Sequence, residues 1–104
     1  MKQEWPNWNK RSNMTYKILE HDKAKKFKRK HKTDKQLILR IEKKYIEIIK
    51  NPYKPSFLEM KSDKCPKCRR ARVGDYRIVY FISEKKNLIE IIDIIPRSND
   101  YRLF

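Results

Sequence analysis

The turn around Gly74, the only glycine in the chain, most constrains the fold that this sequence can adopt. Residues 69–73 and 76–82 flank the turn; the first run alternates polar with apolar side chains, and the second is rich in the β-branched and aromatic residues typical of strands. A glycine supplies the positive φ angle that tight hairpin turns require. Gly74 and Asp75 are therefore predicted to join two antiparallel strands through a two-residue loop.

The predicted hairpin gathers positive charge on one side of the sheet. A two-residue loop sets the register so that Arg72 faces Arg77 and Arg70 faces Val79. Directly opposed like charges destabilise a sheet by a few tenths to about 1 kcal/mol, so packing alone gives no reason for the arrangement. A bound anion would offset the repulsion; a solvated basic face is the alternative interpretation.

Three further segments have the period of β-strands. Residues 14–19 alternate apolar and polar side chains before the helices, and residues 57–61 and 88–95 flank the hairpin. Continued alternation predicts one apolar face, with Asp93 as its one misfit. The residues expected on this face are Ile78, Tyr80, Ile82, Ile89, Ile91 and Ile95.

Two helices are predicted between the first and second strands. Asp22 is expected to cap a short helix with Ala24, Phe27 and His31 on one side. Thr33 and Gln36 have the spacing of a capping box and precede a helical apolar repeat that Asn51-Pro52 ends. The repeat consists of Ile38, Ile41, Tyr45 and Ile48.

These elements predict an α+β fold in which two N-terminal helices pack on one face of a small, mainly antiparallel sheet of four to five strands. The length of 104 residues suits a single domain, assigned to residues 14–104. Residues 1–13 show neither helical nor strand periodicity and are predicted to form a basic, aromatic arm that contains Trp5 and Trp8. This pair is expected to dock on the core or stay flexible, with base stacking as the alternative.

The net charge of +15 makes a polyanion the expected partner, because neutralising phosphates releases condensed counterions. Charge alone does not separate DNA, RNA, the ribosome and an acidic protein. The candidate residues for binding RNA or another polyanion come from the first helix and from the segment around the cysteines. They are Lys25, Lys26, Lys28, Arg29, Lys30, Lys64 and Lys67. No apolar run approaches the roughly 20 residues of a membrane span, and no signal peptide is evident, so a cytoplasmic location without membrane contact is predicted.

Cys65 and Cys68 form a Cys-Pro-Lys-Cys segment that could supply half of a tetrahedral zinc site. His21, His31 or a second copy of the chain would have to complete such a site. A reduced turn without metal is the favoured interpretation, ahead of zinc and of a reversible disulfide. No cofactor is therefore expected.

The run RRARVGDYRIVYFI, followed by a strand and then by PRSNDY, resembles the RelE/ParE superfamily. Its members commonly carry an Arg-Val-Gly-Asp-Tyr-Arg hairpin and a terminal arginine and tyrosine. The segment FLEMK resembles the preceding strand of the family. The resemblance covers about residues 14–104 and implies a compact RelE-like fold.

The resemblance also implies a toxin that cuts mRNA in the ribosomal A site, with the ribose 2′-OH as the nucleophile and without metal. Matched by position, Arg70 and Arg72 would hold or activate the substrate, and Arg77 would bind the scissile phosphate. Arg97 and Tyr101 match the terminal pair. Arginine stays protonated at any working pH and is a poor base. Tyr101 is therefore the expected acid or base, with Lys64, Lys67 and Glu90 as reserves.

Two other functions remain open at this stage. A protein with this fold could bind RNA or the ribosome without catalysis, and members of the ParE branch act on DNA gyrase instead. The resemblance further implies a cognate antitoxin, expected to be an acidic, partly helical protein that covers the basic surface.

Overall fold

The structure is a computed structural model that describes residues 16–59, 65 and 67–97. Most of the predicted strands and helices fall within these ranges. The predicted arm at 1–13 lies outside them, as do Lys64 and Tyr101, so their assignments stay predictions.

Five strands form one sheet in the order β1-β5-β4-β3-β2. Strand β1 pairs with β5 in parallel, whereas the other neighbours are antiparallel, which confirms the mainly antiparallel α+β fold. The strands are β1 (Lys17–Glu20), β2 (Leu58–Glu59), β3 (Arg69–Val73), β4 (Tyr76–Ser83) and β5 (Leu88–Pro96).

Two helices, α1 (Asp22–Lys30) and α2 (Lys35–Lys50), connect β1 to β2. Both predicted caps are wrong by one residue. His21 is the N-cap of α1, without a side-chain hydrogen bond, and Asp22 is already helical. Asp34, rather than Thr33, caps α2, because its carboxylate accepts from the Leu37 N–H at 3.2 Å.

Neither helix of the described part of the chain is long and apolar enough to cross a membrane.

Both helices pack on one face of the sheet, as predicted. Ala24 of α1 and Ile41 and Ile48 of α2 are fully buried against the sheet core. The Tyr80 hydroxyl donates to the Pro52 carbonyl at 2.6 Å and ties the segment after α2 to β4. The buried sheet residues on this face are Ala71, Val73, Ile78, Tyr80, Ile89, Ile91 and Ile94.

An irregularity between β4 and β5 corrects the predicted apolar face. Tyr80 pairs with Ile91 but Val79 pairs with Asp93, so β5 contains one extra residue, as in a β-bulge. The extra residue inverts the alternation beyond it. Ile94 therefore joins the helix-covered core, whereas Ile95, predicted there, belongs to a second apolar cluster that contains Val79.

Candidate functional site

Three arginines share the face of the sheet that the helices leave uncovered. Arg72 pairs with Arg77 across the hairpin and Arg70 pairs with Val79, as the two-residue loop predicts. On β3 they alternate with Ala71 and Val73, which are buried under the helices. Facing residues on paired strands have Cβ atoms about 5 Å apart, so the Arg72 and Arg77 side chains leave the sheet side by side.

A small apolar cluster forms the floor beside these arginines. Val79 and Ile95, the strand partners of Arg70 and Arg77, pack together with the fully buried Cys68. The two arginines are half-buried, whereas Arg72 is exposed. An apolar floor lowers the local dielectric and strengthens the attraction between a guanidinium and a bound phosphate. Sequence analysis missed this floor, because its residues come together only through the bulge.

A fourth arginine reaches the same end of the sheet. The Arg97 N–H donates to the Asp75 carbonyl at 2.7 Å, which places Arg97 beside the hairpin turn. Both residues line a pocket of about 450 Å³ together with Tyr76 and Pro96. The backbone of Arg97 thus lies at the hairpin turn, and its grouping with the hairpin arginines around a substrate stays a prediction.

The structure contains an ionisable pair that sequence analysis missed. The Nε2 atom of His21 lies 2.8 Å from Oε1 of Glu90, within hydrogen-bond distance. The parallel register, in which Leu19 faces Glu90, brings His21 to this position after β1 ends. Four residues of β5, including the bulge, lie between Glu90 and Ile95, the strand partner of Arg77. This pair therefore lies further along the sheet from the turn than Arg77 does.

Most of the basic residues predicted on the first helix are exposed, but Lys28 is not part of that surface. Its ammonium bonds to Glu20 at 2.9 Å and also to Glu42. Burial lowers the pKa of Lys28, but the two carboxylates outweigh burial and raise it overall. Lys28 therefore neutralises acidic side chains of the protein itself, which argues against its predicted role as an RNA ligand. The residues that keep an exposed basic side chain are Lys25, Lys26, Arg29 and Lys30.

Lys67 is also exposed, but it does not join the hairpin arginines. It lines the other end of the sheet, in a pocket of about 520 Å³ with Tyr53, Arg69 and Glu84. A hydrogen bond to Glu84 raises the pKa of Tyr53 to about 12. Tyr53 therefore stays protonated at neutral pH.

Cys65 and Cys68 are joined by a disulfide, with their Cα atoms 5.3 Å apart. The reduced turn favoured by sequence analysis is therefore not the state of this structure. Among the described residues, no group of three or more His, Cys, Asp and Glu side chains is placed to hold a metal ion. A zinc site at this turn would require reduction of the disulfide and further ligands, either from outside the described ranges or from a second copy of the chain.

The sequence profile of a protein family, described as ParE toxin of type II toxin-antitoxin system, parDE, matches residues 18–101. This match spans most of the chain and includes every strand and helix except the first residue of β1. No curated protein sequence matches the chain.

Three solved structures are similar to this chain in fold. In the archaeal RelE–RelB complex of Pyrococcus horikoshii OT3, the similar chain is 24% identical with a TM-score of 0.66, and the match covers 83% of this chain and 99% of that one. The isolated RelE toxin of E. coli is 20% identical with a TM-score of 0.62, and the match covers 82% of this chain and 87% of that one. The intact E. coli RelBE toxin-antitoxin complex contains a chain that is 21% identical with a TM-score of 0.58, and the match covers 81% of this chain and 99% of that one.

Proposed function

Since the chain belongs to the RelE/ParE superfamily of toxins from type II toxin-antitoxin systems, we propose that it inhibits translation as an endoribonuclease that cuts mRNA in the ribosomal A site. The observation that carries the proposal is the direct pairing of Arg72 with Arg77 on the uncovered face, with Arg70 beside them. A polyanionic substrate would be attracted to the positive charge that these arginines bring to one face. RNA is such a polyanion, and the net charge of +15 favours its binding.

The proposed chemistry is the attack of a ribose 2′-OH on the adjacent phosphate. The 2′ oxygen forms a bond to phosphorus, and the bond to the 5′ oxygen of the next nucleotide breaks. Arg70, Arg72 and Arg77 would stabilise the negative charge that develops on the phosphoryl oxygens. Arg97 would hold the substrate at the same rim. The 2′-OH loses its proton and the departing 5′ oxygen gains one. Because guanidinium groups do not exchange protons at neutral pH, Tyr101 is proposed to assist this proton transfer.

The test compares mRNA ends in stalled ribosomes after expression of the wild type and of the double variant Arg77→Ala, Tyr101→Phe. We expect A-site cleavage by the wild type and a loss of about a hundredfold or more in the variant, the usual cost of removing a transition-state charge partner. Lys35→Ala, at the exposed start of α2, is the matched control and should cleave normally. Cleavage that persists in the double variant would refute the site assignment.

Gyrase inhibition is a second candidate, and the match to a family described as ParE toxin favours it. This activity predicts DNA damage in expressing cells without new mRNA ends. A chain that binds ribosomes but produces neither effect would instead be a non-catalytic binding module.

The proposed partner is a cognate antitoxin that neutralises the toxin by covering its basic surface. Two of the similar solved structures are complexes with an antitoxin. The charge of +15 calls for an acidic partner, because complementary charge speeds association and opposes wrong pairings. If a neighbouring gene encodes a small acidic protein, coexpression of that protein should restore growth of the expressing cells and yield a stable complex. Continued growth arrest with that protein present would exclude it as the antitoxin.

A further inference from the structure

A second concave basic site lies on the helix side of the hairpin. Arg40 and Lys43 of α2 and Arg72 of β3 line a pocket of about 320 Å³, here named the rim pocket. Its remaining lining residues are Lys44, Glu47, Val73 and Gly74. None of the α2 residues belongs to the basic surface predicted from the sequence.

Two guanidinium groups from different elements meet at the hairpin turn in this pocket. The Arg72 Nε–H donates to the Gly74 carbonyl at 3.5 Å, the outer limit of a hydrogen bond. From the other side, Nη1 of Arg40 lies 3.6 Å from the position that a Cβ atom on Gly74 would occupy. The turn at Gly74 therefore lies between the Arg72 side chain and the Arg40 guanidinium.

The carboxylate in the rim pocket is already neutralised. Glu47 accepts from Lys44 at 3.4 Å and from Lys54 at 3.5 Å. Burial raises the pKa of Glu47, but these two lysines outweigh burial and lower it overall. Within residues 16–59, 65 and 67–97, neither Arg40 nor Lys43 pairs with an acidic side chain. The three remaining cations therefore repel one another without compensation from this part of the protein.

Single exposed arginines and lysines are ordinarily solvated and need no ligand. Here three of them converge on one concavity from two elements, so a shared anion would remove the repulsion among all three. Guanidinium groups match the planar geometry of phosphate oxygens and are weakly hydrated, which favours a phosphate over a simple counterion.

We propose that the rim pocket binds a backbone phosphate of the RNA strand that lies on the arginine face. This inference rests on the proposed function, because it takes RNA as the ligand. Arg72 belongs to both sites and makes them continuous. The strand would pass from the uncovered face over the Gly74 turn to α2.

The test measures the affinity of the intact chain for a fluorescent oligouridylate over a series of KCl concentrations. The variant Arg40→Gln, Lys43→Gln removes two charges from the pocket. The control variant Lys35→Gln, Lys50→Gln removes two exposed charges from the ends of the same helix. For single-stranded RNA, each phosphate that the protein no longer neutralises reduces the slope of log affinity against log salt by about 0.7. We expect the slope for the pocket variant to fall by about 0.7 to 1.4 and its affinity at low salt to fall about tenfold, and the control to change much less.

Equal losses in the two variants would overturn the proposal, since they would reflect total charge alone. A titration with inorganic phosphate, followed through the Nε–H resonances of Arg40 and Arg72 by NMR, should shift both resonances, and unchanged resonances would also overturn it. If poly-L-glutamate binding falls more than RNA binding in the pocket variant, the pocket is a site for an acidic protein and the proposal is wrong. A wild type that cuts no mRNA yet shows the expected slopes would refute the nuclease while the rim pocket stands.

Discussion

Arg72 and Arg77 face each other directly across the β3–β4 hairpin, although both carry a permanent positive charge. The pair should weaken the folded state, because like charges directly opposed on a sheet are destabilising. We predict that a double-mutant cycle with Arg72→Gln and Arg77→Gln gives a repulsive coupling of a few tenths to about 1 kcal/mol. Urea unfolding at low ionic strength measures the four free energies of unfolding.

Salt provides the control for this cycle. Screening by about 1 M NaCl, where the Debye length is about 3 Å, should reduce the coupling toward zero. Inorganic phosphate should stabilise the wild type more than Arg72→Gln, because the bound anion offsets the repulsion only where both cations remain. An attractive coupling at low salt would contradict the predicted repulsion.

Gly74 has a φ of +56°, a left-handed conformation that side chains with a Cβ rarely adopt. We predict that Gly74→Ala costs about 1 kcal/mol or more in the free energy of unfolding. Steric crowding is not the cause, since a new Cβ would meet Arg40 only at the ordinary contact distance of 3.6 Å. Gly74→Asn is the matched comparison, because asparagine tolerates this conformation better. Thermal unfolding that ranks Asn below Ala would contradict the backbone explanation.

Variants of Lys28 and Lys30 distinguish basic residues of α1 that stabilise the fold from those proposed to bind RNA. Lys28 is mostly buried between Glu20 and Glu42, whereas Lys30 is exposed. We predict that Lys28→Ala lowers the free energy of unfolding by about 1 to 2 kcal/mol, because Glu20 keeps only its bond from the Tyr45 hydroxyl. Lys30→Ala should change stability by less than about 0.5 kcal/mol.

RNA affinity should show the reverse order. Lys30→Ala is expected to weaken binding and its salt dependence, whereas Lys28→Ala should leave both close to the wild-type values. The comparison requires both variants to be folded at the assay temperature, which circular dichroism establishes. A larger loss of affinity in Lys28→Ala would restore Lys28 to the RNA-binding surface.

The parts of the fold that depend on neighbours in sequence could be predicted. A two-residue turn at Gly74-Asp75 fixes the register of its hairpin, so the pairing of Arg72 with Arg77 followed from counting residues outward from the turn. The helical repeat up to Asn51 likewise has local causes, namely a 3.6-residue period and a stop signal.

Features that depend on distant segments could not be predicted. The parallel pairing of β1 with β5 joins residues about 70 positions apart and alone brings His21 to Glu90. Lys28 looked like its exposed neighbours because the helical pattern does not reveal that Glu20 and Glu42 lie beside it. The extra residue in β5 leaves no local signal except Asp93, a charge that simple alternation would have buried in the core.

The β5 bulge turns Asp93 away from the helix-covered core, but its carboxylate is still partly buried, which costs free energy of folding. Burial raises its pKa, and the Ile94 N–H and the nearby Lys23 offset that effect only in part. The folded state therefore binds the Asp93 proton more tightly than the unfolded state, whose pKa is near 3.8. The contribution of the protonated form to stability is complete below that value and is lost as pH rises through the folded pKa. At neutral pH the charged carboxylate thus destabilises the protein.

We predict that Asp93→Asn raises the free energy of unfolding at pH 7, because the amide removes the buried charge while its oxygen can still accept from the Ile94 N–H. The advantage should shrink as pH falls through the folded pKa and should be lost below 3.8, where the wild-type carboxyl is protonated in both states. Urea unfolding of both proteins across this range measures the difference, with the exposed Asp75→Asn as the control. A gain that stays constant down to pH 3.8 would show that packing, and not the proton, distinguishes the two side chains.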